Sequence, residues 1–286
     1  MPRGPWRRRH TEYVFGRGKK DQKALASVLD LLEQRALFAD KVDWSTVRPE
    51  IAAAADDPEQ LELKLFHLVR EVGGPHGGVR RPRRPPVEPE LPTVEMQGEA
   101  AVVALPACAE QDARAYAEAG RSALEGVEPE RWIVDLRGNG GGAMWPMLAA
   151  VAPLLRGDGE IGAFVDRDGG RIPWTLRDGA VGMGGIAQAL GLKGRREGAV
   201  SVLTDGYTAG SGEAVAVAFR GLPDVRSYGA PTLGLSTGIE SAALPDGLVV
   251  SVATSRFADR AGTVYGSRIA PDVPSEDPLS MALWDL

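Results

Sequence analysis

A serine set among small residues is the feature of this chain most able to do chemistry. Ser211 lies in Asp205-Gly206-Tyr207-Thr208-Ala209-Gly210-Ser211-Gly212-Glu213, after the apolar run Val200-Ser201-Val202-Leu203 and before Ala214-Val215-Ala216-Val217-Ala218-Phe219. That pattern predicts a buried strand passing through a tight turn into a helix. N–H groups converge at such a helix N-terminus, and a hydroxyl held there is placed for nucleophilic attack. In a Ser/His pair the base is a histidine, and the chain has three. His10 lies in a basic N-terminal stretch, His67 falls in an apolar helical pattern, and His76 follows Gly73-Gly74-Pro75 on a loop. Elimination leaves His76 as the candidate base, beside the plainer reading of a solvated loop histidine.

A second glycine-rich turn, Asp135-Leu136-Arg137-Gly138-Asn139-Gly140-Gly141-Gly142, also leaves an apolar run and enters a helical pattern. Glycines there let the backbone come close to a ligand and aim N–H groups outward. A phosphate loop and a purely structural turn both stay open, although the Gly-Lys-Ser/Thr ending of a P-loop is absent. Cys108 is the single cysteine, so the chain has neither an internal disulfide nor a cysteine-based metal site. No cofactor is implied. Arg137 reads as a loop anchor, Trp132 and Trp145 as core, and Glu213 as a favourable charge in a first helical turn.

The elements that must hold these turns follow from periodicity. Residues 1–22 read as a disordered basic tail. Leu25, Val28, Leu29, Leu32 and Leu37 then begin a helical domain over 23–79, with a helix capped at Ser45 and another opened by Asp57-Pro58. An Arg/Pro-rich linker covers 80–92. From 93 to 286 strands alternate with helices, which predicts an α/β core with helices packed on a sheet. The composition, 43% apolar and 25% charged with net charge -6, is that of an ordinary soluble protein and argues against general affinity for nucleic acid. No run reaches the length of a membrane span, and no export signal is evident, so no membrane partner and a cytoplasmic location are expected.

Taken together, several segments resemble the tail-specific, or C-terminal-processing, serine peptidases, in particular the short members without a PDZ domain. Asp135-Leu136-Arg137-x-Asn139-x-Gly141-Gly142 matches that family's D-L-R-x-N-x-G-G motif. Thr208 to Glu213 looks like its T-A-S-x-x-E nucleophile motif, and Gly229-Ala230-Pro231-Thr232-Leu233-Gly234 like its G-x-P-T-x-G. Ile269-Ala270-Pro271-Asp272 resembles the I/V-x-P-D segment, and Gly73-Gly74-Pro75-His76 the G-D-x-H-S segment. The resemblance implies a crotonase- and Clp-protease-like core of stacked βαβ units behind a small N-terminal helical domain. It implies hydrolysis of peptides or unfolded proteins through an acyl-enzyme. Ser211 would attack, His76 would take its proton, and N–H groups at Gly141 or Gly142 would hold the oxyanion.

The register departs from the family at one place. The family nucleophile stands three residues before the glutamate, and here that position is Gly210, with Ser211 one residue later. Gly77 replaces the serine after the histidine, and Leu235 stands where Ser-Lys members carry lysine. Two readings stay open: a displaced Ser211/His76 dyad in a working peptidase, and a peptidase-like scaffold that binds peptides or a protein partner. Acyl-thioester chemistry of the crotonase kind is a third class, which accounts poorly for Thr208–Glu213. Register assigns neither Asp272 nor Glu240 as an acidic partner, and the oligomeric state is not encoded in any motif.

Overall fold

The computed structural model describes residues 18–81 and 88–285. The chain begins with helices α1 (Lys19–Arg35), α2 (Trp44–Ala53) and α3 (Pro58–Gly73), then strands β1 (Gly78–Arg80), β2 (Thr93–Gln97) and β3 (Ala100–Ala104). Helix α4 (Ala113–Leu124), strand β4 (Arg131–Asp135) and helix α5 (Met144–Ala150) follow. Four strands come next, β5 (Gly159–Asp166), β6 (Arg171–Arg177), β7 (Ala180–Met183) and β8 (Ile186–Leu190). Strand β9 (Ala199–Thr204) leads into helix α6 (Ser211–Phe219), and β10 (Val225–Gly229), β11 (Thr237–Ala243), β12 (Val249–Ala258), β13 (Val273–Pro274) and helix α7 (Pro278–Trp284) complete the chain. No helix among the described residues is long and apolar enough to cross a membrane.

The chain divides into two compact units. Among the described residues, one comprises 18–81 together with Glu240–Val252. Its helices bury Val28, Leu32, Leu65 and Val69 at helical spacing. Asp57 caps α3 by accepting the N–H groups of Glu59 and Gln60 at 3.1 Å, with Pro58 at the first helical position. Asp43, not Ser45, caps α2, accepting Ser45 N–H at 3.0 Å. The returning segment adds Leu244, Leu248, Val250 and Val252 to the same core, and β1 pairs antiparallel with the start of β12 from Gly78↔Ser251 to Arg80↔Val249.

The other unit comprises, among the described residues, 88–239 and 253–285. Its six-stranded sheet has the order β13-β10-β9-β4-β3-β2, parallel from β13 to β3 and antiparallel at β2. Successive strand residues face opposite sides, so a sheet buried on both faces must be apolar throughout. Val103, Trp132, Val134, Val200 and Val202 pack with α4, α5 and α6. Val102, Ile133 and Leu203 pack with Leu279, Ala282 and Leu283 of α7. Helices α4 and α5 touch closely at Gly120, where a Cβ would lie 2.3 Å from that of Ala150. In a second sheet the far half of β12 pairs with β5, and β6, β7 and β8 extend it as an antiparallel meander. Trp174, fully buried, packs edge-on to Phe164 and Phe257 at centroid distances of 5.0 and 5.2 Å.

The mixed α/β architecture agrees with the expectation, and several boundaries differ from it. Helix α1 starts at Lys19, inside the stretch read as tail, because Lys19-Lys20-Asp21-Gln22-Lys23 carries no apolar period to reveal it. Residues 1–17 of that tail, and 82–87 of the Arg/Pro-rich linker, lie outside the described residues. A purely helical domain over 23–79 followed by a core over 93–286 omits the return of Glu240–Val252, which pairs with β1 through contacts remote in sequence.

Candidate active site

The two glycine-rich turns follow β4 and β9, neighbouring parallel strands, at their C-terminal ends, where ligands bind in α/β sheets. Hydrogen bonds stitch the turns together. Asp205 accepts Gly138 N–H at 3.0 Å through one oxygen, and the N–H groups of Tyr207 and Thr208 at 2.9 Å through the other. The Thr208 hydroxyl donates to Leu136 O at 2.8 Å, and Ala209 N–H donates to Asn139 O at 2.8 Å. Asn139 is fully buried; its amide donates to Leu105 O at 2.7 Å, and its side-chain oxygen accepts Gly141 N–H at 2.9 Å. Arg137 anchors the loop through Asp135, at 2.9 and 2.6 Å, rather than through backbone carbonyls.

Position 210 is the elbow. Gly210 has φ 52 and ψ -111, on the positive-φ side that side chains with a Cβ rarely adopt. A strained strand-to-helix turn of this kind is where α/β hydrolases hold a nucleophilic serine. Here the residue at the turn has no side chain. Ser211 instead opens α6, and its hydroxyl donates to Gly142 O at 2.5 Å. A serine engaged this way donates its hydrogen bond to a carbonyl, which cannot act as a general base.

The loop facing the elbow uses glycine for close approach. Gly141 and Gly142 have φ 96 and 111. A Cβ on Gly142 would stand 1.9 Å from Cys108 O, and one on Gly141 would stand 2.9 Å from Ala209 O and 3.2 Å from Ser211 N. The Gly141 N–H, an expected oxyanion donor together with that of Gly142, donates to the Asn139 side-chain oxygen. Among the described residues, the N–H groups of Gly142 and Ser211 donate to no protein acceptor. Cys108 beside this loop is buried, which pushes its thiol up to about 11, with the charges of Glu110 and Asp112 adding to the rise.

Glu213 does more than oppose a helix dipole. It is fully buried, and its carboxylate accepts four bonds: Gly210 N–H at 2.9 Å, Thr232 O–H at 2.5 Å, Gly234 N–H at 3.1 Å and Leu235 N–H at 2.7 Å. Burial pushes its carboxyl above the usual range, and the four donors hold that rise in check. Sequence reasoning missed this clasp. Its trace is the pairing of Glu213 in one motif with Thr232 and Gly234 in the next.

The remaining candidates sit elsewhere. Ser211, Gly141, Gly142 and Gly210 all belong to the second unit, and His76 belongs to the first, in a single turn of 3-10 helix at Gly74–His76. Gly77 next to it is a packing requirement, because a Cβ would come within 2.6 Å of the Val69 side chain. Asp272 accepts Ser227 N–H at 2.8 Å and Arg220 at 2.5 Å, at the C-terminal end of α6. Nine residues of helix span about 13 Å, so Asp272 is not beside Ser211. Glu240 pairs with Arg35 at 2.8 Å. No group of three or more His, Cys, Asp or Glu among the described residues is arranged to hold a metal ion.

The model of peptidase family S41 matches residues 99–275. The nisin-resistance protein of Lactococcus lactis subsp. lactis is 27% identical over 273 residues, covering 92% of this chain and 86% of the relative. A lipoprotein from Streptococcus agalactiae has a solved structure with TM-score 0.79 and 22% identity, covering 93% of this chain and 96% of that one. A solved structure from Parabacteroides merdae ATCC 43184 has TM-score 0.57 and 17% identity, with 93% of each chain covered. At these identities the two solved structures bear on the fold alone.

Proposed function

The chain belongs to peptidase family S41, and on that premise we propose that it binds peptides or unfolded protein segments without hydrolysing them. One observation carries this reading. The elbow keeps the backbone of a nucleophile turn but holds glycine, while the neighbouring Ser211 spends its hydroxyl on Gly142 O. The N–H groups of Gly142 and Ser211 beside the elbow suit a peptide carbonyl or carboxylate, whether or not a nucleophile stands between them.

The test separates binding from cleavage. A labelled digest of an unfolded protein, and nisin because a relative is named for resistance to it, are titrated by fluorescence polarisation and then examined by mass spectrometry. Saturable binding with no new peptide termini is expected. Termini that accumulate with time would overturn the non-hydrolytic reading.

A second reading is favoured by the placement of Ser211 one residue from the elbow and only partly buried. In it Ser211 and His76 form a displaced dyad. The hydroxyl leaves Gly142 O, passes its proton to the His76 imidazole and bonds to the peptide carbonyl carbon. The scissile C–N bond then breaks, the leaving amine takes the proton, and water releases the acyl group. Cleavage abolished by both Ser211→Ala and His76→Ala is the signature of that route.

A further inference from the structure

We propose that Glu213 is the positioning residue of this site: its carboxylate couples the elbow at Gly210 to the loop Thr232–Leu235, and peptide binding depends on that coupling. The inference rests on the reading that the site binds peptides.

A fully buried carboxylate ordinarily faces a cation. Among the described residues Glu213 has no ion pair, and its four partners are neutral donors. Helix capping explains one of the four: Glu213 is the third residue of α6, and its bond from Gly210 N–H is the reaching-back half of a capping box. Three of the four donors to Glu213 come instead from residues 232, 234 and 235, beyond strand β10.

The two carboxylate oxygens divide the task. Oε1 holds the loop, taking Thr232 and Gly234. Oε2 is the bridge, taking Gly210 at the elbow and Leu235 in the loop. The loop in turn lies along the turn before the elbow, with Leu233 N–H donating to Thr208 O at 2.9 Å. Tyr207 and Leu233, 76% and 43% exposed, stand on the outside of that junction. A peptide meeting the elbow therefore meets a surface whose two halves are registered through one buried carboxylate. Replacing either oxygen by an amide N–H₂ sets a donor against donors and releases one half from the other.

Glu213→Gln is the variant to make, as it keeps the side-chain shape. Affinity for the labelled digest is measured at 10 °C, where folding is verified by circular dichroism, together with amide hydrogen exchange at Gly210, Gly234 and Leu235. The expected result is a loss of affinity of tenfold or more with faster exchange at those three amides, while amides inside α6 stay protected. Glu213→Asp, which retains both oxygens, should recover part of the affinity; a merely structural role would leave affinity unchanged in every folded variant. Should Glu213→Gln fail to fold, Thr232→Val removes one donor and keeps the shape, and a loss of at least threefold is expected from it. Unchanged affinity in the folded variants overturns the inference and leaves peptide binding standing. Absence of binding by the unaltered protein overturns peptide binding itself, and the inference with it.

Discussion

The loop over 135–142 and the turn over 205–213 occupy the ends of neighbouring strands and are cross-linked by side chains, yet they differ in what they retain. In the loop every family position is filled, and each has a structural task. Asp135 holds Arg137, Asn139 is buried under three backbone groups, and Gly141 and Gly142 let the chain pass against Ala209 and Cys108. In the turn Thr208 and Glu213 hold the backbone by hydrogen bonds, and Gly210 at the elbow, the position the resemblance gives to the nucleophile, carries no side chain. On the proposed reading, frame and chemistry separate: the bonds that tie the two turns together are kept, and the elbow they hold carries no hydroxyl.

Breaking the loop should have the largest effect. Gly142→Ala forces a Cβ to 1.9 Å from Cys108 O at a φ of 111, and a loss of about 3 kcal/mol or more is expected in urea unfolding. Asn139→Ala leaves Gly141 N–H and the Leu105 and Pro106 carbonyls without their buried partner, for a loss of about 3 kcal/mol. Restoring the turn should cost less. Gly210→Ser places a Cβ at φ 52 and ψ -111, a strain of about 1–3 kcal/mol, seen as a lower midpoint with unchanged cooperativity. A denaturation loss as large as that of Gly142→Ala would show that glycine is part of the frame at 210 as well.

The smallest effect lies at the far end of α6. Burial opposes the charge of Asp272, but hydrogen bonds from Ser227 and Arg220 outweigh it and hold the carboxyl below its ordinary value of 3.8. A depressed acid contributes stability that is full above 3.8 and is lost as pH falls through the lower folded value. Asp272→Asn should thus cost about 1 kcal/mol at pH 7, a figure reduced because the side chain is 43% exposed, and the gap from the unaltered protein should close below pH 3.8. A gap that persists into strong acid would mean that packing, not charge, makes the difference.

How far these features can be read from residues depends on how local they are. Both turns are legible because an apolar strand, small residues and an apolar helix follow one another within a short window, and the parallel strands β3, β4 and β9 stand out as largely apolar runs, with Ser201 the one polar residue inside β9. The meander is not legible: β6 carries Arg171, Pro173 and Arg177, and β8 follows Gly184-Gly185, so neither shows a clean alternation. The pattern in β8 is further disturbed by the extra residue Gln188, whose bulge also bends an edge strand with exposed Ile186 and Leu190 away from flat pairing. From residues alone Glu213 reads as a dipole charge, because three of its donors lie 19 to 22 residues onward, beyond any local pattern. Gly210 was legible as a departure in register, but its elbow conformation is a property of the backbone that no residue type announces.

The most direct measurement is intact-mass analysis after treatment with a fluorophosphonate serine probe, applied to the unaltered protein, Ser211→Ala and Gly210→Ser. A separated frame and chemistry predict no adduct on the first two and a single adduct on Gly210→Ser. An adduct on the unaltered protein that disappears in Ser211→Ala would contradict the account and establish Ser211 as a working nucleophile.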